Sequence, residues 1–208
     1  MKPEDKFYYA FYIAKKLKLY FNEIKELSGL SNASLVNIVK KLGEKGFVSV
    51  EKRKGNTFYI LSHIYYAYLM FAKFDMMRYD DLNEDVIYSL MGFRGGAPKD
   101  IACIVLFGST SRKEESRGKS DIDIMIVFNK FEDDELQLMY EKYMKNKFEK
   151  LKEDKNAFSF FPFSLFYTNI EEFENSDDNL IKEVRETGFP IKGEQRFYEI
   201  MCKKWMRE

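Results

Sequence analysis

The segment from Ile104 to Phe128, IVLFGSTSRKEESRGKSDIDIMIVF, constrains the fold more than any other part of the sequence. Two apolar runs, each long enough for a buried strand, flank a polar stretch that contains glycines. The second run contains two aspartates, Asp121 and Asp123. Residues i and i+2 of a strand point to the same face. The pattern therefore predicts two carboxylates side by side at the start of a buried strand.

Two adjacent carboxylates are unfavourable unless a positive charge holds them together. Mg²⁺ binds such oxygens together with phosphate oxygens. Upstream, Gly108 and Ser109 follow the first apolar run and precede a short helix expected within residues 110–117. A glycine lets the backbone approach a phosphate, and the hydroxyl and the helix N-terminus can donate to it. The segment predicts a site for a metal-bound nucleoside triphosphate.

The residues FGSTSRKEESRGKSDIDI resemble the signature of DNA polymerase β-type nucleotidyltransferases, closest to the minimal members and to their versions fused to a winged helix. The resemblance covers about residues 96–193 and includes the later GFPIKG, which fits a short core strand. It implies that Gly108, Ser109 and Ser120 bind the nucleotide. It also implies that Asp121 and Asp123 are catalytic and bind Mg²⁺ or Mn²⁺. The implied reaction is transfer of a nucleoside monophosphate from a triphosphate to a hydroxyl.

The sequence departs from this family pattern. Lys113 stands where a glycine is usual, and the segment before Ser120 is one residue longer than the commonest spacing. Active members add a third carboxylate from the next core strand. The matching run here, AFSFFPFSLFYT, has no acid and offers only Ser159 and Ser164 as small polar groups before its tyrosine. The sequence thus leaves open whether the site catalyses transfer or only binds nucleotide.

The first third of the chain has the pattern helix, helix, helix, hairpin. Ser31 is placed to cap the third helix, and Gly55-Asn56 marks the hairpin turn. Residues 3–62 resemble the winged helix-turn-helix domains of transcription regulators, which implies DNA binding by the third helix and the hairpin. The residues implied to contact DNA are Asn32, Ser34, Asn37, Lys41, Lys52, Arg53 and Lys54. Residues 1–62 hold twelve Lys and Arg against six Asp and Glu, which fits an anionic partner.

The expected fold class is α+β. A winged helix-turn-helix domain is expected at 1–62, a helical linker at 63–95, and a polymerase-β-like nucleotidyltransferase domain at 96–208, with a small mixed sheet flanked by helices. Gly95, Gly96 and Pro98 make residues 93–98 the clearest break. The stretch 64–74 is apolar nearly all round, which predicts a helix buried inside the chain or in a homodimer interface.

Composition excludes several other classes. With two cysteines and one histidine, the chain cannot be a disulfide scaffold, and a Cys/His zinc site is not expected. No apolar run approaches the roughly 20 residues of a membrane span, and no signal peptide pattern opens the chain, so the cytoplasm is the expected location. Two further functions stay open: a regulator that binds nucleotide without turnover, and an antitoxin-like protein that binds a toxin-like partner.

Overall fold

A computed structural model of the 208-residue chain describes residues 1–53, 55–114, 120–157 and 159–206. The chain forms two compact units. The first unit comprises Met1–Met76 with Met201–Glu208, and the second comprises Met77–Ile200. The boundaries at 62 and 95 expected from the sequence therefore differ from the division that the packing makes. In the described ranges, no helix is long and apolar enough to cross a membrane.

The first unit opens with three helices and a small antiparallel sheet. Its elements are α1 (Pro3–Ala14), β1 (Lys18–Tyr20), α2 (Phe21–Ser28), α3 (Asn32–Glu44), β2 (Val48–Arg53) and β3 (Asn56–Leu61), followed by α4 (Ile64–Asp80). The strand order is β1-β3-β2, so the last strand pairs with both others. The sequence pattern predicted the hairpin but missed β1.

Apolar residues of the first helix recur at helical spacing as far as Leu17, which predicts a helix that reaches about Leu19. The helix stops at Ala14 because Lys15 adopts a left-handed conformation with φ of 54°. Leu17 and Leu19 are buried, but Leu19 reaches the core from β1. Helical spacing therefore extends beyond the helix itself, to Leu17 in the turn and Leu19 in β1.

The turn between α2 and α3 matches the sequence prediction. Gly29 ends α2 with φ of 63°, a conformation that favours glycine. The Ser31 hydroxyl then accepts a hydrogen bond of 3.2 Å from the backbone N–H of Ser34 and caps α3. Leu35 and Leu42 of α3 are fully buried. This geometry fixes which face of α3 is turned to solvent.

The second unit is a four-stranded mixed sheet with helices packed against it, as the sequence predicted. Its elements after α4 are α5 (Glu84–Gly96), β4 (Cys103–Phe107), α6 (Gly108–Ser111), β5 (Ile122–Phe128), α7 (Asp134–Asn156), β6 (Phe163–Asn169), α8 (Ile170–Asn175), α9 (Asn179–Thr187), β7 (Phe189–Lys192) and the first part of α10 (Glu194–Trp205). The residues of α10 from Met201 onward belong to the first unit. The strand order is β6-β5-β4-β7; β5 and β6 are parallel, and the other pairs are antiparallel.

The break expected at residues 93–98 is not a linker. Helix α5 continues through Gly95 and ends at Gly96, with Ala97 as its C-cap. Gly96 is placed against α7: a Cβ added there would come within 2.5 Å of the Leu151 side chain. Gly95 has open space in the same direction. One glycine of the pair thus allows two helices to pack closely, a tertiary role that composition does not reveal.

The apolar stretch at the start of α4 is buried along one face only. Ala67, Phe71 and Phe74 are buried, whereas Leu69 and Met76 each keep 66% of their surface exposed. The expectation of a helix buried within the chain therefore holds for one face, and the other face carries exposed apolar side chains.

The two glycines near the end of α5 give a matched test of this packing. Gly95→Ala should raise the free energy of unfolding by up to about 1 kcal/mol, because alanine loses less conformational entropy in a helix. Gly96→Ala should be less stable than Gly95→Ala, because its methyl group displaces Leu151. Urea unfolding of both variants measures the difference. Equal stability of the two would show that Gly96 is not at a close helix contact.

Candidate functional site

The site begins where β4 ends beside β5. All five residues of β4 are buried, and its last residue, Phe107, lies opposite Asp123 in the antiparallel pairing. The next residue, Gly108, adopts φ of 69°, and a Cβ built on it would collide with the Asp123 carboxylate. Only glycine fits this position without displacing Asp123. The backbone of Gly108 and the carboxylate of Asp123 are thus in direct contact.

The second aspartate is held from two sides. Asp121 immediately precedes β5 and is exposed. Its carboxylate accepts a hydrogen bond of 2.8 Å from the Ser164 hydroxyl at the start of β6. Its backbone carbonyl accepts one of 2.9 Å from Thr110, a buried residue of α6. Side chains of α6 and β6 therefore position Asp121. No sequence motif assigned a role to Thr110.

The electrostatic environment of Asp123 is unfavourable for a charged carboxyl. Partial burial raises the pKa of Asp123, and the negative charges of Asp121 and Glu183 raise it further. Arg112 lowers it in part. Glu183 on α9 is held by Arg112 at 3.3 Å. No local sequence pattern marks Glu183, because only the tertiary structure brings α9 to this end of the sheet.

Beside the aspartates, the neighbouring strand carries a serine. Strands β5 and β6 are parallel, and Ser164 lies opposite Asp123 in their register. Glu171 and Glu172, which follow the strand in sequence, belong to α8. Within the described ranges, no group of three or more His, Cys, Asp or Glu side chains could hold a metal ion. Among the described residues, a metal at this site would have Asp121 and Asp123 as carboxylate ligands and would need further ligands, such as oxygens of a substrate.

The helix predicted within residues 110–117 begins two residues earlier, at Gly108. Helix α6 spans only Gly108–Ser111, so its dipole is small, and residues 115–119 lie outside the described part of the chain. Lys113, which replaces a glycine of the family pattern, has φ of 62°. This left-handed conformation costs a non-glycine residue about 1–2 kcal/mol. Its ammonium forms an ion pair with Asp81.

Ser109 and Ser120, the other residues predicted to bind nucleotide, lie near the contact between Gly108 and Asp123. Ser109 is the second residue of α6, and its carbonyl accepts from the N–H groups of Arg112 and Glu114 at 3.1 and 3.0 Å. Its half-buried hydroxyl has no hydrogen-bond partner among the residues that the structure describes. Ser120 is half-buried directly before Asp121. The donors and carboxylate oxygens present fit a hydrated Mg²⁺ bound to a triphosphate.

The candidate DNA contacts are spread over the surface of the first unit. Five of them are exposed: Asn32, Asn37, Lys41, Lys52 and Arg53. Ser34 is half-buried and hydrogen-bonded to the capping Ser31, so it is less accessible than expected. Lys54 lies outside the described residues.

Two of these cations are already partnered. Lys41 forms an ion pair of 2.9 Å with Glu4, and Arg53 forms one with Glu51. His63 is exposed, and its Nδ1 accepts the N–H of Tyr66 at the start of α4.

Removing one charge of the aspartate pair should stabilise the protein without ligand. Asp123→Asn should raise the free energy of unfolding at neutral pH by at most about 1 kcal/mol, because water screens a half-buried charge. A raised pKa means that ionised Asp123 opposes folding, so the gain should shrink as pH falls towards about 4 and the parent carboxyl becomes protonated. Glu153→Gln, which removes an exposed charge of α7, should change stability little at either pH.

Thermal unfolding of the three proteins across pH 4–8 measures both effects. A parent more stable than Asp123→Asn at neutral pH would show that the carboxylate is favourably paired.

Comparisons with known proteins bear on this region. Residues 94–186 match the family model described as nucleotidyltransferase domain. Separate comparisons with curated proteins and with solved structures found no match. The matched range contains β4, α6, β5 and β6, and therefore the whole contact between Gly108, Asp121, Asp123 and Ser164. The match supports a nucleotidyltransferase domain in this part of the chain and, with it, a general nucleotidyl-transfer function.

Proposed function

We propose that the protein transfers a nucleoside monophosphate from a nucleoside triphosphate to a hydroxyl, with Mg²⁺ or Mn²⁺, and binds DNA through its first unit. The observation that carries the transferase part is the contact between the Gly108 backbone and the Asp123 carboxylate, with Asp121 beside it. It brings the turn at Gly108 and the carboxylates of Asp121 and Asp123, a ligand type that Mg²⁺ prefers, to the same end of the sheet. The family match over residues 94–186 supports the same chemistry.

Each residue has a distinct role in this proposal. Asp121 and Asp123 hold the metal ion, which neutralises charge on the phosphates and completes its coordination with their oxygens. Gly108 lets the triphosphate lie against the backbone, and the hydroxyls of Ser109 and Ser120 donate to its oxygens. Without the nucleotide, the two carboxylates repel one another, so the site favours the metal–nucleotide complex over either component alone.

In the transfer step, an oxygen of the acceptor forms a bond to the α-phosphorus. The bond between that phosphorus and the bridging oxygen to the β-phosphate breaks, and diphosphate leaves with the electron pair. The acceptor loses its proton. Ser164 stands opposite Asp123 where a third carboxylate would serve as base, so the proton goes to water or to a base of the acceptor. Turnover should therefore be slow compared with binding.

Nucleotide and metal should stabilise the protein only together. Millimolar Mg²⁺ with the preferred triphosphate should raise the free energy of unfolding, by about 2.7 kcal/mol at a hundred times the Kd. Asp121→Asn and Asp123→Asn should each abolish this joint effect, whereas Glu153→Gln should retain it. The same proteins, incubated with α-labelled ATP, GTP, CTP or UTP, test incorporation into the protein, RNA or a partner. A parent protein whose melting temperature ignores all four metal–nucleotide pairs would refute the site.

The order of helices and strands in the first unit supports the proposal that it binds DNA. Helices α2 and α3 are joined by a tight turn at Gly29, and the β2–β3 hairpin follows. This is the arrangement expected for a winged helix-turn-helix, with α3 in the major groove and the hairpin on the phosphates. Asn32 and Asn37 are exposed on α3, and Lys52 and Arg53 are exposed near the hairpin tip.

DNA affinity should fall steeply with salt, because phosphate contacts release counterions. Arg53→Ala should weaken binding to every duplex alike and reduce the slope of log K against log salt by about 0.9, the value for one phosphate contact. Asn37→Ala should change sequence preference more than affinity. Lys142→Ala, an exposed lysine of α7, is the matched charge control. Absence of salt-dependent binding to mixed-sequence duplexes at low ionic strength would remove this half of the proposal.

A second candidate function is a regulator that binds nucleotide without turnover. Ser164 opposite Asp123 favours it, since this chain offers no carboxylate at that point of β6. Metal-dependent stabilisation by nucleotide without incorporation of label would select it. The exposed apolar side chains Tyr65, Leu69 and Met76 of α4 fit a further role, in which this face covers a second copy of the chain or a toxin-like partner.

The proposed location is the cytoplasm. Both cysteines, Cys103 and Cys202, are free and buried. Burial raises the pKa of both thiols, so neither is reactive in the folded protein.

A further inference from the structure

A cavity of about 540 Å³ lies wholly within the first unit, and no part of the proposed nucleotide site contributes to it. Its volume is in the range of small-molecule pockets, about 300–1,000 Å³. Two separate parts of the chain line it: the sheet strands β1 and β3, and the C-terminal residues Trp205 and Met206. It has no role in either activity proposed above.

The cavity lies on one face of the small sheet. In the pairing of β1 with β3, Lys18 is opposite Ile60 and Tyr20 is opposite Phe58, and these four residues line the cavity. The residues between them in sequence, such as Leu19, point to the other face, which is buried in the core. The cavity therefore occupies the face of the sheet that the core does not cover.

Its walls are aromatic. The rings of Tyr20 and Phe58 have centroids 4.2 Å apart, and Trp205, which is 5% exposed, lines the same space. Leu17 and Ile60 add aliphatic surface. Flat, largely apolar walls of this kind favour a planar aromatic ligand, because ring stacking adds to the burial of apolar area.

The polar groups of the cavity are mainly cationic. Lys16 and Lys18 line it, and the Lys18 ammonium lies 4.3 Å from the centroid of the Phe58 ring. The one acid in the lining, Glu23, accepts the backbone N–H of Tyr20 at 2.8 Å through one carboxylate oxygen, so the lining carries two cationic side chains and one anionic side chain. We infer that this cavity binds a planar aromatic compound that carries one anionic group, a carboxylate or a phosphate, which Lys16 and Lys18 hold.

The structure also contains a competitor for that anion. Lys18 forms an ion pair with Glu51 of β2, which does not line the cavity and which also pairs with Arg53. A ligand anion must share Lys18 with Glu51 or displace it. Removing the Glu51 charge should therefore tighten ligand binding, whereas removing the Lys18 charge should weaken it. A gain of affinity in one variant cannot arise from misfolding.

The fluorescence of Trp205 can report ligand binding in the cavity, because Trp205 is the one tryptophan in the chain. Its emission, excited at 295 nm, is followed in the full-length protein with EDTA present, so that metal-dependent nucleotide binding does not contribute. The probes are biphenyl-4-carboxylate, its neutral amide, and AMP, an aromatic compound with a phosphate. We expect at least one of the two anions to change Trp205 emission saturably, and the neutral amide to bind at least about tenfold more weakly.

Three variants test the assignment with whichever anion binds. Lys18→Gln should raise its Kd about tenfold, as expected for loss of a charged hydrogen bond. Glu51→Gln should lower the Kd about two- to fivefold, the effect of removing an exposed competing ion pair. Lys25→Gln, a lysine of α2 outside the lining, should leave the Kd unchanged.

The outcomes decide the proposal without reference to DNA or triphosphate binding. Binding of the carboxylate or of AMP with the expected order of variants supports it and identifies which anionic group the cavity prefers. Trp205 emission that stays constant with both anions at millimolar concentration overturns it. Equal binding of the neutral amide, or a Glu51→Gln variant that binds more weakly than the parent, overturns the assignment of Lys18 as the anion's partner.

Discussion

The candidate site depends on the close contact between Gly108 and Asp123. Antiparallel pairing of β4 with β5 puts the end of one buried strand opposite a carboxylate in the other. The chain then turns with a positive φ that glycine adopts without strain, and the absence of a Cβ leaves room for the carboxylate. Asp121, Ser109 and Ser120 take their places from this turn and from the start of β5.

The same contact holds Asp123 in surroundings that disfavour its charged form, and Arg112 compensates for this only in part. Burial and two neighbouring acids raise the pKa of Asp123, while Arg112 opposes them and is itself engaged by Glu114 and Glu183. Sites arranged for charge that arrives with a ligand are commonly unfavourable without it. Under the proposed function, the positive charge of a metal ion bound with the nucleotide would offset the charges of the two carboxylates.

Lys113 and Ser164 show how the site departs from the family pattern. Lys113 keeps the left-handed conformation that a glycine would adopt and is tied to Asp81 by an ion pair. Ser164 keeps the position beside Asp123 on the parallel strand and donates a hydrogen bond to Asp121. The positions at which the resemblance implies a glycine and a carboxylate thus carry Lys113 and Ser164, which is why binding and turnover have to be measured separately.

The sequence by itself determined the strands other than β1, the glycine turn and the paired aspartates, because alternation and glycine conformations are local properties. It also gave the cap at Ser31 and the hairpin. Only the tertiary structure placed Glu183 and Ser164 beside the aspartates, and only it showed that Gly96 lies inside a helix against Leu151. It likewise brought Trp205 into one cavity with β1 and β3. These relations join residues far apart in sequence, and such contacts are set by packing across the core, which no local pattern encodes.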